Sequence, residues 1–221
     1  MAFPTHRSPR ECLLAPLSLL IGVLIWLAGL GLFFRLASGS VIAGAVVSVL
    51  TVLAFWGLSY LFAHSAFIAH LRGHGIEVCE QQLPDLHAQL LECCATLGVD
   101  TPPRLYILNG NGVLNAFATW FLRQRFVILN SDVVDAMEGH SAGARFYLGH
   151  ELGHILLHDA RFIALLRWPA LRLPLLGAAY SRARESSCDL HGLACCPDRE
   201  SAARSLAALA AGKRRWATLS M

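Results

Sequence analysis

Two long apolar stretches dominate the first third of the chain. No formally charged residue occurs in residues 12–34, and none occurs in residues 41–63. Each stretch is long enough to cross the hydrocarbon core of a bilayer, which is about 30 Å thick and takes about 20 helical residues. Because only residues 35–40 connect them, the pattern predicts an antiparallel pair of transmembrane helices with both flanks on one side of the membrane.

A secretory signal peptide is the competing interpretation of the first stretch, because Arg7 and Arg10 precede it. The apolar core is, however, longer than the about 7–15 residues of a signal sequence, and a second stretch follows at once. We therefore predict that residues 1–74 are a membrane anchor. Arg72 also flanks the pair, whereas the connector contains Arg35 alone. The positive-inside tendency then predicts a multi-pass protein of the cell (inner) membrane whose catalytic domain is cytoplasmic.

The remaining residues, 75–221, change between helical and extended patterns. Residues 84–98 have apolar positions at helical spacing. Residues 104–108, 115–120 and 125–129 are strand-like, and together they suggest a small antiparallel sheet. Residues 144–158 form an apolar helix that belongs inside a domain. The predicted fold class is α+β, mainly helical, with a small antiparallel sheet in this domain and the two-helix transmembrane hairpin before it.

A further apolar segment, residues 162–176, is not predicted to be a third span. Arg167, Pro169, Arg172 and Pro174 interrupt it. At most it touches the bilayer surface, so the anchor is predicted to consist of the N-terminal helix pair alone.

Composition limits the remaining classes of protein. The mean hydropathy of +0.51 and a charged fraction of 15% agree with a chain that lies partly in lipid. The net charge of +3 comes from scattered arginines, which excludes the basic stripe of a nucleic-acid-binding protein. The seven cysteines show no C-x-x-C spacing, so we interpret them as reduced thiols of a cytoplasmic domain.

The residues that carry chemistry are His150-Glu151-Leu152-Gly153-His154, an H-E-x-x-H motif. Positions i and i+4 share one face of a helix, so His150 and His154 can converge on one tetrahedral zinc ion. Glu151 then lies beside the metal, where it can act as the general base toward the attacking water. Polar groups on such an apolar helix also need partners, and a metal provides one.

A catalytic zinc usually has three protein ligands and one open position. The sequence after the motif contains two candidates for the third ligand. His158 continues the helical spacing but lies about 6 Å beyond His154 along a straight helix, too far to reach the same ion. Glu185 begins a second helix-compatible segment, in which Asp189 could accept the free N–H of a ligating histidine. A solvated helix face is the alternative explanation for these two carboxylates.

Three segments in this order resemble the HtpX and CAAX-prenyl-protease-like zinc metallopeptidases. They are residues 115–119 (Asn-Ala-Phe-Ala-Thr), the motif at residues 150–154, and Ser181-Arg182 leading to Glu185 and Asp189. The resemblance covers about residues 84–212.

The resemblance implies a zincin-like metallopeptidase domain with one zinc ion per chain. It implies that His150, His154 and Glu185 ligate the zinc, that Glu151 is the general base, and that Asp189 supports the ligands. It also implies an active-site edge strand, to which an extended substrate could add as a further strand. This strand would be residues 115–119, with Asn115, Ala116 and Phe117 as the substrate-binding residues.

By the same resemblance, the chain would be a membrane-anchored zinc-dependent endopeptidase that uses a zinc-activated water. Its partners would be a lipid bilayer and a protein or peptide substrate, such as a membrane or misfolded protein. Similar proteins often have more spans between the two metal motifs and continue beyond the equivalent of Gly212. We therefore expect a C-terminally incomplete domain that lacks the usual oxyanion-stabilising residues. The alternatives are a truncated zinc-binding pseudoprotease that acts as a membrane-anchored binding module, and a purely structural zinc site.

Overall fold

The computed structural model describes residues 7–37, 39–111, 115–121, 124–138, 144–157 and 161–211. Within these ranges the chain forms eight helices and four strands. The helices are α1 (Pro9–Leu36), α2 (Gly39–His74), α3 (Pro84–Leu97), α4 (Ser131–Met137), α5 (Arg145–Leu156), α6 (Arg161–Leu171), α7 (Pro174–Cys195) and α8 (Arg199–Ala211). The strands are β1 (Ile76–Val78), β2 (Arg104–Leu108), β3 (Ala116–Phe121) and β4 (Gln124–Asn130). The prediction of a mainly helical α+β chain is confirmed.

The described residues divide into two compact units. The first contains Arg7 and Ser8 and the described parts of residues 70–158 and 184–211. The second contains the described parts of residues 9–69 and 161–183. The predicted domain boundary after residue 74 stays a prediction.

The first unit contains a four-stranded sheet with the strand order β1-β2-β4-β3. The predicted antiparallel pairing is present between β3 and β4, where Phe117 is opposite Ile128. The prediction of an antiparallel sheet is wrong at one pair, since β2 and β4 are parallel. Residues 126–129 of β4 are fully buried and apolar. Such a run favours a position inside the sheet, with a strand on either side. Strand β4 takes this position between β2 and β3, and it runs parallel to β2.

Helices α3 and α5 supply much of the apolar core of this unit. Helix α3 begins at Pro84 and ends at Leu97; Gly98 follows, and its positive φ of 68° suits glycine after a helix C-terminus. Helix α5 is buried along most of its length, as its apolar pattern predicts. The hydroxyl of Tyr147 donates a hydrogen bond to the carbonyl of Ser205 at 2.6 Å, so even the polar tip of this core side chain has a partner.

Two glycines allow α5 to lie very close to the C-terminal half of α7. A Cβ on Gly149 would lie 2.8 Å from the Sγ of Cys195 and 2.8 Å from the carbonyl oxygen of His191. A Cβ on Gly153 would lie 3.1 Å from the Cα of Cys188. At these two positions the helices therefore pack backbone against backbone.

We predict that Gly149→Ala destabilises the protein by about 1–3 kcal/mol, because the added methyl group must displace backbone atoms of α7. Thermal unfolding of the detergent-solubilised protein measures the effect as a lower Tm. Gly73→Ala is the control, because a Cβ at Gly73 would have no atom within 4 Å. Equal Tm values for the two variants would contradict this account of the helix contact.

The second unit contains α1, most of α2, α6 and the beginning of α7. Helices α1 and α2 have 28 and 36 residues and contain the two predicted spans. By length and composition both can cross a membrane, although a signal sequence would pass the same test for α1. Two such helices indicate membrane association, and the orientation predicted from the arginines stays a prediction.

Candidate metal centre

The two histidines of the H-E-x-x-H motif lie side by side on α5. Their ring centroids are 4.9 Å apart, and the ring planes are inclined by 72°. One carboxylate oxygen, Oε2 of Glu185 on α7, lies 3.4 Å from the Nε2 of His150 and 3.7 Å from the Nε2 of His154. The structure thus brings Glu185, which is distant in the sequence, to the two histidines of the motif.

Asp189 approaches the same histidine pair from one turn further along α7. Its Oδ1 lies 2.9 Å from the Nδ1 of His150. A carboxylate acceptor at this nitrogen favours the tautomer in which Nδ1 carries the proton and donates it. In that tautomer Nε2 of His150 keeps a free lone pair, as ligation of a metal by this nitrogen requires, and the oxygen of Glu185 lies 3.4 Å from it.

The two histidines have opposite electrostatic environments. Burial opposes protonation of His150, but the hydrogen bond to Asp189 and the charges of Glu151 and Glu185 outweigh it, so the pKa of His150 is raised. Burial and the neighbouring His150 lower the pKa of His154. His154 is therefore the imidazole that more readily stays neutral, the form in which histidine binds metals.

Glu151 lies beside this cluster and is buried, with 5% of its surface exposed. Burial raises the pKa of its carboxyl to about 7. The backbone N–H of Ala118 in β3 donates a hydrogen bond to this carboxylate. Its Oε2 has no hydrogen-bond partner among the described residues. A buried carboxylate oxygen without a partner is costly and marks a position for a water or a reacting group.

The predicted substrate strand is β3, which lies at the end of the sheet order, paired with β4. Asn115 precedes it: the side-chain Oδ1 accepts a hydrogen bond from the N–H of Ala116 at 3.0 Å, and the carbonyl accepts one from Asn130 at 3.0 Å. Ala116 and Phe117 pair with β4. Ala118 of this strand contacts Glu151. It lies in the predicted segment, residues 115–119, but was not among the predicted site residues.

A fourth side chain near the histidines was also not predicted. The Sγ of Cys188 and one ring nitrogen each of His150 and His154 all lie within 4.8 Å of one another. The thiol and Glu185 are therefore competing candidates for the third ligand. Cys188 is fully buried where α7 packs on Gly153, whereas the oxygen of Glu185 is close to both Nε2 atoms. The geometry favours Glu185, and the other candidate from the sequence, His158, lies outside the described residues.

A helix with H-E-x-x-H thus faces a carboxylate from a later helix, as expected of a metallopeptidase site. Residues 80–171 match the model of Peptidase family M48. The predicted resemblance is thereby confirmed. The match includes residues 150–154 and ends before Glu185 and Asp189.

This match indicates metallopeptidase activity; peptidases of this family are metal-dependent, generally with zinc, and act on proteins or peptides. No curated protein and no solved structure matches the chain.

We predict that Asp189→Asn lowers the pKa of His150 in the metal-free protein, because it removes the charged acceptor at Nδ1 that raises this pKa. NMR titration of the histidine ring protons measures the change. Asp198→Asn is the control, since Asp198 accepts hydrogen bonds from Ser201 instead. An unchanged pKa of His150 in Asp189→Asn would contradict the assigned hydrogen bond.

Proposed function

We propose that this protein is a membrane-anchored, zinc-dependent endopeptidase with one zinc ion per chain, held by His150, His154 and Glu185. The observation that carries the proposal is the position of a single Glu185 oxygen 3.4 and 3.7 Å from the two Nε2 atoms. In a tetrahedral zinc site with bonds of about 2.0–2.1 Å, donor atoms lie about 3.3–3.4 Å apart. The two distances that involve Glu185 are therefore close to the spacing that one zinc ion requires.

The chemistry of these donors also fits a catalytic rather than a structural site. Two imidazoles and one carboxylate are a known catalytic ligand set, and they leave one position open. The Glu185 side chain is 54% exposed, so solvent reaches this side of the cluster. When bound there, zinc would polarise a scissile carbonyl and lower the pKa of a water molecule.

Glu151 is the proposed general base and acid. Its pKa of about 7 is close to the pH at which a cytoplasmic enzyme works, which suits a group that both accepts and returns a proton. The partner-free Oε2 is the atom that would accept the proton from water and pass it to the leaving amine. The hydrogen bond from Ala118 would hold the carboxylate in place during both transfers.

An extended peptide is the proposed substrate, aligned along β3. Strand β3 is at the end of the sheet order, where a peptide can add as a further strand. Because Ala118 of this strand contacts Glu151, a peptide bound there would pass close to the general base. Asn115, Ala116 and Phe117 would form the beginning of this binding strand.

The proposed anchor is the helix pair α1 and α2, which would place the enzyme in the cell membrane. Arg7, Arg10 and Arg72 against Arg35 favour a cytoplasmic catalytic unit. Membrane or misfolded proteins are then the substrates closest at hand.

We expect Glu185→Ala to reduce the zinc content of the purified protein well below one ion per chain, because two imidazoles alone bind zinc weakly. Metal analysis after dialysis against a weak chelator measures this. His158→Ala is the matched variant and should retain zinc. Loss of zinc from His158→Ala, with Glu185→Ala unaffected, would transfer the role of third ligand to His158.

We expect Glu151→Gln to retain zinc but to cleave an unfolded protein substrate about 10²- to 10⁴-fold more slowly, since only the proton transfer is removed. Glu200→Gln is the control, because Glu200 is an exposed residue of α8 that pairs with Arg204. Equal cleavage by wild type and Glu151→Gln would disprove the mechanism. Zinc at one ion per chain without cleavage by any form would instead support the pseudoprotease.

A further inference from the structure

Helix α7 presents a second potential metal ligand, a thiol, to the same pair of histidines. The Sγ of Cys188 and one ring nitrogen each of His150 and His154 lie within 4.8 Å of one another. Cys188 and Glu185 are three positions apart, so they share one face of the helix. A Cβ on Gly153 would lie 3.1 Å from the Cα of Cys188, so this part of α7 is held close to α5. Two ligands of different chemistry therefore face one pair of imidazoles.

The two ligands differ in softness and in exposure to solvent. Glu185 offers a hard carboxylate oxygen, and its side chain is 54% exposed. Cys188 offers a soft sulfur atom and is fully buried. Soft ligands select soft metal ions, whereas carboxylates favour harder ones. The identity of the bound ion therefore determines which of the two side chains gains more from ligation.

The spacing of the sulfur also suits an ion larger than zinc. With Zn–S and Zn–N bonds of about 2.3 and 2.0–2.1 Å, sulfur and nitrogen donors on one tetrahedral zinc lie about 3.6 Å apart. The upper limit of 4.8 Å for the three donors of this group is wider than that. Soft ions such as Cd²⁺ form longer bonds, so they need a smaller movement of the Cys188 side chain than zinc does.

We propose that His150, His154 and Cys188 form a second ligand set, which binds a soft, thiophilic metal ion such as Cu⁺ or Cd²⁺ in place of zinc. Both sets use the same two imidazoles, so only one ion is bound at a time and the soft ion displaces zinc. The thiol loses its proton to solvent when the metal–sulfur bond forms, because a coordinated thiol is deprotonated. The displacement of a catalytic ion rests on the proposed function, whereas the binding of the soft ion does not.

The other thiols of the described residues lack this arrangement. Within the described ranges, the group of His150, His154 and Cys188 is the one cluster of three or more such ligands with donor atoms this close. Cys93 and Cys195 are also buried, but their thiols face backbone carbonyls, those of Arg145 at 3.8 Å and of Cys93 at 4.0 Å. A thiophilic ion at low free concentration is therefore directed to Cys188.

Cadmium provides a direct probe, because a cadmium–thiolate bond absorbs in the ultraviolet and shifts the cadmium NMR signal. The zinc-loaded, full-length protein in detergent is titrated with Cd²⁺ in a chelator buffer that keeps single surface thiols empty. Released zinc is measured with a chromophoric chelator. We expect one zinc ion to be released for each cadmium–thiolate bond formed. Zinc release without a thiolate signal would overturn the proposal.

The matched variants assign the thiolate signal to one residue. Cys188→Ser should retain zinc, because Glu185 is unchanged, and should lose the cadmium–thiolate absorption. Cys79→Ser is the control and should behave like wild type, since Cys79 lies in an isolated bridge with Gln82. A thiolate signal that survives in Cys188→Ser would disprove the second ligand set. If this variant does not fold, the cadmium NMR shift of wild type still decides between sulfur and purely nitrogen and oxygen ligands.

Glu185→Ala separates the second ligand set from the proposed zinc site. This variant should lose zinc and still form the cadmium–thiolate bond when it is titrated without zinc. Loss of the bond would show that the soft ion also needs Glu185, which would overturn a separate set. If the variant keeps both zinc and the bond, the proposed zinc ligand fails while the soft-metal set stands. If wild type binds zinc but never forms a cadmium–thiolate bond, only the soft-metal set fails.

Discussion

The contact between α5 and α7 at Gly149 and Gly153 determines where every proposed metal ligand lies. A methyl group at either position would meet atoms of α7 at 2.8–3.1 Å, so the two helix axes approach as closely as their backbones allow. Carboxylate side chains are short and reach the imidazoles of the neighbouring helix only at such a separation. The ring nitrogens of His150 lie 2.9 Å from Asp189 and 3.4 Å from Glu185 because of this packing.

The same packing creates an electrostatic cost that a metal ion would relieve. Two imidazoles and the carboxylates of Glu151, Glu185 and Asp189 lie together at a partly buried site. The environment raises the pKa of His150 and lowers that of His154, and it raises the pKa of Glu151 to about 7. Burial thus disfavours the charged form of Glu151, although a base must be charged to accept a proton. A divalent cation next to the cluster would stabilise that charged form.

Sequence reasoning reached those parts of the site that depend on helical repetition alone. His150, Glu151 and His154 are within one turn or so of each other, so their common placement follows from the helix itself. Glu185 and Asp189 are on another helix; their spacing made them candidates, and the family pattern assigned them to the site. The parallel pairing of β2 and β4 and the contact of Ala118 with Glu151 depend on tertiary packing, which residue spacing does not encode. The position of Cys188 likewise depends on how deeply α7 packs against Gly153.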